Sequence, residues 1–163
     1  MKRAVLLIGL AVLGLLLAAA LRIGLEFRSE PVLPTPASQA ADVVARGEYL
    51  ARVGHCAGCH TAPGGAAYGG GRALATPFGT LYAGNLTPHP DGLAGWSNAD
   101  FWLALHHGRS RDGRLLYPAF PYPNLTQVTR ADSDALFAYL RSLPPVAQRN
   151  QPHALRFPYD QPL

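Results

Sequence analysis

The chain has 163 residues, of which 48% are hydrophobic and 15% charged, and its formal net charge is +4. This length gives room for about one domain, and the composition excludes an intrinsically disordered chain. Beyond Arg28, ten arginines are nearly balanced by nine acidic residues, so the positive charge does not indicate a nucleic-acid partner.

The N-terminal segment, residues 1–28, has the pattern of a membrane anchor. Lys2 and Arg3 precede eighteen uncharged, mostly aliphatic residues at positions 4–21. As a helix these would extend about 27 Å, close to the roughly 30 Å of a hydrocarbon core. The two basic residues would stay in the cytoplasm, which places the anchor in the inner membrane and the rest of the chain on the periplasmic side. The alternative is a cleaved signal peptide with its site at residues 18–20, although such peptides usually have a shorter apolar core.

The chain after the anchor divides into a linker, one domain and a tail. Residues 29–40 are rich in proline, serine and threonine, a composition that keeps the backbone extended and predicts a linker. We expect the domain at residues 41–146 and a C-terminal tail at residues 147–163. The first helix of the domain is predicted at residues 42–54 from apolar side chains at helical spacing. Gly47 lies inside this helix and weakens it by about 1 kcal/mol, which indicates that another element comes close there.

The most informative motif follows this helix. Cys56, Cys59 and His60 form C-x-x-C-H, the pattern by which c-type haem is attached. Two thiols about one helical turn apart can each form a thioether to the same porphyrin, and the adjoining imidazole can bind the iron. A zinc site would need four ligands, and no second cysteine cluster exists. A thioredoxin-like thiol pair would need a βαβ pattern, which the sequence lacks. We therefore expect one covalent haem c, with His60 as the proximal iron ligand.

The loops beyond the motif have simple interpretations. The glycine run at residues 69–71 predicts flexible turns, because no strand-helix context for a phosphate loop surrounds it. Arg109, Arg111 and Arg114 form a basic cluster. A solvated loop is the favoured interpretation of that cluster, and a patch for docking or for the haem propionates is the alternative.

Two further helices complete the predicted domain. The second is expected at residues 97–108 and the third at residues 129–143, and each begins with a capping-box pattern. Three short helices joined by long loops are what a chain wrapped around a cofactor would produce, because the haem supplies part of the core.

Several short stretches are shared with a known family. They are TAPGG at 61–65, TPFGT at 76–80, NLTP at 85–88, GWS at 95–97, LYPAFPY at 116–122, AYL at 138–140 and LPP at 143–145. In this order and spacing, together with the C-x-x-C-H motif, they resemble the cytochrome c subunits of bacterial membrane-bound dehydrogenases. The resemblance covers residues 41–146.

The resemblance implies an all-α class I cytochrome c fold, and the single C-x-x-C-H motif predicts one such domain around one covalent haem. The resemblance further implies an electron carrier, not itself an enzyme, that takes electrons from a membrane-associated dehydrogenase and passes them to the respiratory chain. The partner would be a quinoprotein, molybdenum or flavin catalytic subunit. The resemblance also implies that Trp96 and Tyr117 line the haem crevice.

The chain departs from the family in two respects. Family members commonly carry three haem domains, whereas this chain has one motif, so it is either a one-haem relative or a shortened copy. The family's distal methionine position, in residues 118–121, is occupied by Phe120, and Met1 is the chain's sole methionine. An open distal site is the first expectation, ahead of a ligand from a partner. The histidines that could serve instead are His55, His89, His106, His107 and His153.

Two functions follow from these expectations. One is electron transfer beside a dehydrogenase. The other is a five-coordinate haem protein that binds a gas or peroxide at the open distal site, for which the apolar Phe120 is a poor distal group.

Overall fold

The computed structural model of the chain describes residues 2–26, 39–117 and 119–161. The chain forms two compact units, Met1–Leu33 and Pro34–Leu163. The first unit contains helix α1 (Lys2–Glu26). Most of the predicted linker at residues 29–40 lies outside the described residues, and only its last two positions fall within them.

The structure corrects the predicted N-terminal transmembrane helix. Within the described part of the chain, no helix has both the length and the apolar character needed to cross a bilayer. For α1 the described side chains are those of residues 8–22.

Five helices lie among the described residues of the second unit. They are α2 (Ala41–Val53), α3 (Cys56–His60), α4 (Asn98–His107), α5 (Tyr122–Leu125) and α6 (Arg130–Ser142). The three longest, α2, α4 and α6, confirm the predicted helices. The capping box before α4 is also confirmed, because Ser97 Oγ accepts from the Asp100 amide and the Asp100 carboxylate accepts from the Ser97 amide. Gly108 ends α4 with a φ of 59°.

The expected all-α fold is wrong, because the second unit also contains a small antiparallel sheet. Its strands are β1 (Ala73–Thr76), β2 (Gly79–Tyr82) and β3 (Ala154–Leu155), in the order β1-β2-β3. The strands have four, four and two residues, which is too short for a recognisable alternation of side chains. Gly79 has a φ of +129° and lies against β3, where a Cβ would overlap the Ala154 carbonyl oxygen. The predicted tail therefore supplies a strand.

Helices α2 and α6 cross where a small residue lets their backbones meet. Gly47 is buried, and a Cβ there would overlap the Ala135 carbonyl oxygen and lie 2.8 Å from Tyr139 Cβ. The close approach expected at Gly47 is confirmed. Arg46 and Asp132 pair across the same crossing, with 2.5 Å between Nη2 and Oδ1.

One apolar cluster fills the space between these helices and the loops. The rings of Phe101 on α4 and Phe137 on α6 stack with centroids 5.1 Å apart. The buried members of the cluster are Ala51, Tyr68, Leu93, Phe101, Leu105, Leu136, Phe137 and Leu140. Partly buried side chains pack against it, including Cys56, Trp96 and Phe120. The core therefore adjoins the C-x-x-C-H helix directly.

We expect Gly47→Ala to lower the free energy of unfolding by about 1–3 kcal/mol, because the added methyl group forces α2 away from α6. This is the net loss that remains after the roughly 1 kcal/mol gained from the better helix propensity of alanine. Denaturant unfolding of both proteins measures the difference. Ala45→Gly, on the exposed side of α2, is the control and should lose about 1 kcal/mol. A Gly47→Ala protein more stable than wild type would contradict the close crossing.

Candidate functional site

The chain enters the motif helix α3 through a tight turn. His55 precedes the helix with a φ of 54°, a left-handed conformation that is uncommon outside glycine. The Gly58 amide donates to the His55 carbonyl oxygen at 2.9 Å. A Cβ at Gly58 would overlap the His55 ring. The imidazole of His55 therefore lies over the backbone between the two cysteines.

Both thiols of the motif are free and lie one helical turn apart on α3. Cys56 is partly buried against the apolar cluster, whereas Cys59 is exposed. Burial raises the pKa of the Cys56 thiol above its usual value. The two sulfur atoms thus occupy different environments, one facing the core and one facing solvent.

The ring of His60 is held by a backbone carbonyl. Its Nδ1 lies 2.7 Å from the Gly84 carbonyl oxygen. Because a carbonyl oxygen only accepts, Nδ1 must carry the proton. Burial lowers the pKa of His60, which favours the neutral ring, and the hydrogen bond to Gly84 acts in the opposite direction. The neutral ring then has its lone pair on Nε2, the nitrogen that could bind a metal.

The peptide that carries this carbonyl is packed against a glycine. Gly70 has a φ of +79°, and a Cβ there would lie 2.6 Å from Gly84 C and 2.6 Å from Asn85 N. The Gly70 amide also donates to the His60 carbonyl oxygen at 2.8 Å. The sequence predicts flexible turns at residues 69–71. The structure instead packs the Gly70 backbone closely against the Gly84–Asn85 peptide, next to His60.

The residues after Gly84 form a buried polar network that the sequence pattern did not reveal. Asn85 and Thr87 are 3% and 0% exposed. Asn85 Oδ1 accepts from the Thr87 amide at 2.8 Å and from the Thr87 hydroxyl at 2.7 Å. Asn85 Nδ2 donates to the Val146 and Gln148 carbonyl oxygens at 2.9 and 3.1 Å. The network ties the start of the predicted tail to the loop that carries Gly84. Asn85 and Thr87 belong to the NLTP stretch, which carried the resemblance but gave no sign of a buried network.

The residues expected around the cofactor lie in two different surroundings. Trp96 and Phe120 are partly buried and pack against the same cluster as Cys56. Tyr117 instead contacts the tail, where its hydroxyl lies 3.4 Å from the Tyr159 carbonyl oxygen and its ring is edge-on to His153. The roles expected of Trp96 and Tyr117 stay predictions. Pro118 lies outside the described residues.

The histidines considered as distal ligands make contacts within the chain. The Asp91 amide donates to His89 Nδ1 at 3.2 Å, His106 Nε2 lies 2.8 Å from the Val128 carbonyl oxygen, and the Tyr82 amide donates to His153 Nδ1 at 3.2 Å. His106 also stacks on Trp102, with 3.3 Å between ring centroids, and His107 adjoins it at 6.5 Å. Burial lowers the pKa of His153, with a smaller effect from the charge of Arg114.

The basic cluster forms a tight turn bridged between Arg109 and Leu115. Arg114 pairs with Asp112 at 2.7 Å between Nε and Oδ2. Arg109 Nε donates to the Gly113 carbonyl oxygen at 3.2 Å. Arg111 lies over Gly95, the residue that precedes Trp96. A Cβ on Gly95 would overlap the Arg111 guanidinium group. Arg111 is thus the member of the cluster turned towards the GWS stretch.

The described residues offer no alternative metal centre. No group of three or more histidine, cysteine, aspartate or glutamate side chains among them is arranged to hold a metal ion. A structural zinc ion needs four such ligands. The motif residues are therefore not part of a zinc site of that kind among the described side chains.

Comparison with known proteins gives consistent matches. The family model described as Cytochrome c matches residues 44–144. A nicotinate dehydrogenase subunit of Pseudomonas putida is 46% identical over 155 residues, which cover 93% of this chain and 13% of that protein. The gluconate 2-dehydrogenase cytochrome c subunit of Pantoea cypripedii is 45% identical over 118 residues, covering 71% of this chain and 27% of the relative.

A third relative, named diheme cytochrome c-type, comes from Cereibacter sphaeroides. It is 38% identical over 159 residues, covering 94% of this chain and 53% of that protein. The chain thus spans between about one eighth and about half of the length of these relatives.

We expect Gly70→Ala to destabilise the domain by roughly 1–3 kcal/mol more than Gly64→Ala does. Both glycines have positive φ, +79° and +71°, so both variants carry a backbone penalty for a left-handed conformation. A Cβ at Gly64 meets nothing within 4 Å, whereas at Gly70 it would strike the Gly84–Asn85 peptide. Denaturant unfolding of the two variants isolates the contact. Equal losses would contradict the close packing at Gly70.

Proposed function

The chain belongs to the cytochrome c family, and we propose that it binds one haem c and carries electrons for a dehydrogenase. The resemblance noted in the sequence is confirmed by the family match over residues 44–144 and by the named relatives. One haem is proposed because the sequence contains two cysteines, both in the motif. When bound, haem c supplies an iron that accepts and releases one electron.

The free cysteines and the His60 ring fit such a group. Cys56 and Cys59 lie one turn apart with unpaired sulfurs, as two thioether bonds to one porphyrin require. The His60 ring, with its proton held on Nδ1 by Gly84, presents a basic Nε2. This hydrogen bond is the observation that best supports the proposal, because it fixes the tautomer that an iron ligand needs.

The surroundings of the motif suit electron transfer rather than substrate chemistry. Trp96 and Phe120 are partly buried and pack against the same apolar cluster as Cys56, which gives the motif an apolar side. Cys59 is exposed, so the attachment motif reaches the surface, where a partner protein can approach. In this proposal the motif residues bind and orient the cofactor, and electrons enter and leave on the exposed side near Cys59.

The partner that we propose is the catalytic subunit of a dehydrogenase, of quinoprotein, molybdenum or flavin type. Relatives are named as subunits of nicotinate, gluconate, alcohol and fructose dehydrogenases. The acceptor would belong to the respiratory chain. The domain would work outside the cytoplasm, because covalent haem capture suits a compartment in which free thiols otherwise oxidise.

The full chain, produced in its own cells with an affinity tag and purified under mild conditions, tests this function. We expect the mature polypeptide to carry the mass of one haem and to co-purify with a dehydrogenase subunit. Adding nicotinate, gluconate, an alcohol or fructose to the complex should then reduce the haem, as read from its absorbance.

The double variant Cys56→Ser, Cys59→Ser is the matched control, since it removes both attachment points and should lose the added mass. A wild-type polypeptide without haem would contradict the cofactor. A haem-loaded protein that purifies alone and is reduced by no dehydrogenase would contradict the partner.

We further propose that Phe120, at the position where the family has its methionine, would face the iron of a bound haem, to which its side chain has no lone pair to donate. Phe120→Met should then introduce a sulfur ligand and raise the reduction potential, because methionine ligation stabilises the reduced iron. Potentiometric titration measures the shift. Phe120→Leu is the control, since leucine has a similar apolar character and no donor atom. Equal potentials in the two variants would show that residue 120 does not face the iron.

A further inference from the structure

The peptide unit between Gly84 and Asn85 is hydrogen-bonded on both sides. Its carbonyl oxygen accepts from His60 Nδ1 at 2.7 Å, and its amide donates to Asn150 Oδ1 at 2.8 Å. A peptide unit is planar, so its carbonyl and amide move together. The side chain of Asn150, in the predicted tail, therefore restrains the group that orients the His60 ring.

Asn150 is itself held in place, although it lies at the surface. Its Nδ2 donates to the Asp91 carbonyl oxygen at 2.7 Å. The segment before it is fixed by the Asn85 side chain through the Val146 and Gln148 carbonyl oxygens. Asn150 therefore uses both ends of its amide group, which fixes the direction in which Oδ1 points.

We propose that Asn150 is a positioning residue for His60, acting through the Gly84–Asn85 peptide to set the orientation and basicity of the proximal imidazole. This role rests on the proposed function, in which His60 binds the haem iron. It assigns a task in the haem site to the C-terminal segment beyond residue 146.

The direction of the effect follows from hydrogen-bond polarisation. An acceptor on the peptide amide makes the carbonyl at its other side a stronger acceptor. A stronger bond to Gly84 draws the proton from His60 Nδ1 and makes Nε2 more basic. A more basic ligand favours the oxidised iron and lowers the reduction potential. Asn150 therefore keeps the potential lower than it would be without this side chain.

The test compares two substitutions that act in opposite directions. Asn150→Ala removes the acceptor, whereas Asn150→Asp keeps an acceptor and makes it charged and stronger. Both variants lose the donation to the Asp91 carbonyl oxygen, so this loss does not distinguish them. Gln148→Glu adds the same charge two residues away, where the side chain donates to the neighbouring Arg149 carbonyl oxygen at 3.4 Å. Because Asn150 is exposed and the Asn85–Thr87 network remains, we expect all three variants to fold and to attach haem.

We expect the potential to rise in Asn150→Ala and to fall in Asn150→Asp by more than in Gln148→Glu. A tenfold change in the one-electron equilibrium corresponds to about 59 mV, and each shift should lie within that range. The proton resonances of the His60 ring in the oxidised protein should move in opposite directions in the two Asn150 variants. Thermal midpoints should stay close to that of the wild type.

The proposal is overturned if Asn150→Ala has the wild-type potential and His60 resonances, or if Asn150→Asp shifts no further than Gln148→Glu. It is also overturned if Asn150→Ala attaches no haem, because Asn150 would then be needed for folding. A wild-type chain without haem would instead contradict the proposed function itself. The two failures are therefore distinguished by the mass of the wild-type polypeptide.

Discussion

The hydrogen bond from His60 Nδ1 to the Gly84 carbonyl oxygen, 2.7 Å long, is the contact on which the geometry of the site depends. It joins α3 to the loop that follows β2, 24 residues further along the chain. Since a carbonyl oxygen accepts only, the bond leaves one tautomer for the ring. The ring is partly buried, so loss of this acceptor would leave a polar group incompletely hydrogen-bonded. The peptide at Gly84 must therefore stay in its position for the site to exist.

The rest of the second unit supplies restraints on that peptide. Gly70 packs against one face of it, with no space for a side chain between them. Asn85 and Thr87 are buried polar residues whose hydrogen bonds all run to the backbone, to each other or to the segment from Val146. Such networks are stable only when their members are satisfied together. The C-terminal segment is therefore part of the site's support, and its pairing with β2 extends the same restraint.

Local signals in the sequence predicted some of this and could not predict the remainder. Helix α4 was predictable because its capping residue and its terminal glycine are local signals. The attachment chemistry was predictable from C-x-x-C-H because that chemistry requires a fixed spacing of the residues. The sheet was missed because β3 has two residues and pairs with a strand far away in the chain. The contact at Gly70 was missed because a close backbone approach leaves the same sequence signal as a flexible turn. The structural part of the tail was missed because buried polar networks have no periodicity.

The apolar core of the second unit adjoins the proposed cofactor site. Cys56, Trp96 and Phe120 pack against the same cluster that joins α2, α4 and α6. A cofactor bound there would bury the side chains that the cluster leaves partly exposed, so binding and folding would stabilise each other. Substitutions at these core positions would therefore change stability and redox behaviour together. Asn150 differs because its side chain lies at the surface and is linked to His60, the proposed iron ligand, through a single peptide unit. A substitution at Asn150 would therefore alter the proposed site without changing the packing of the core.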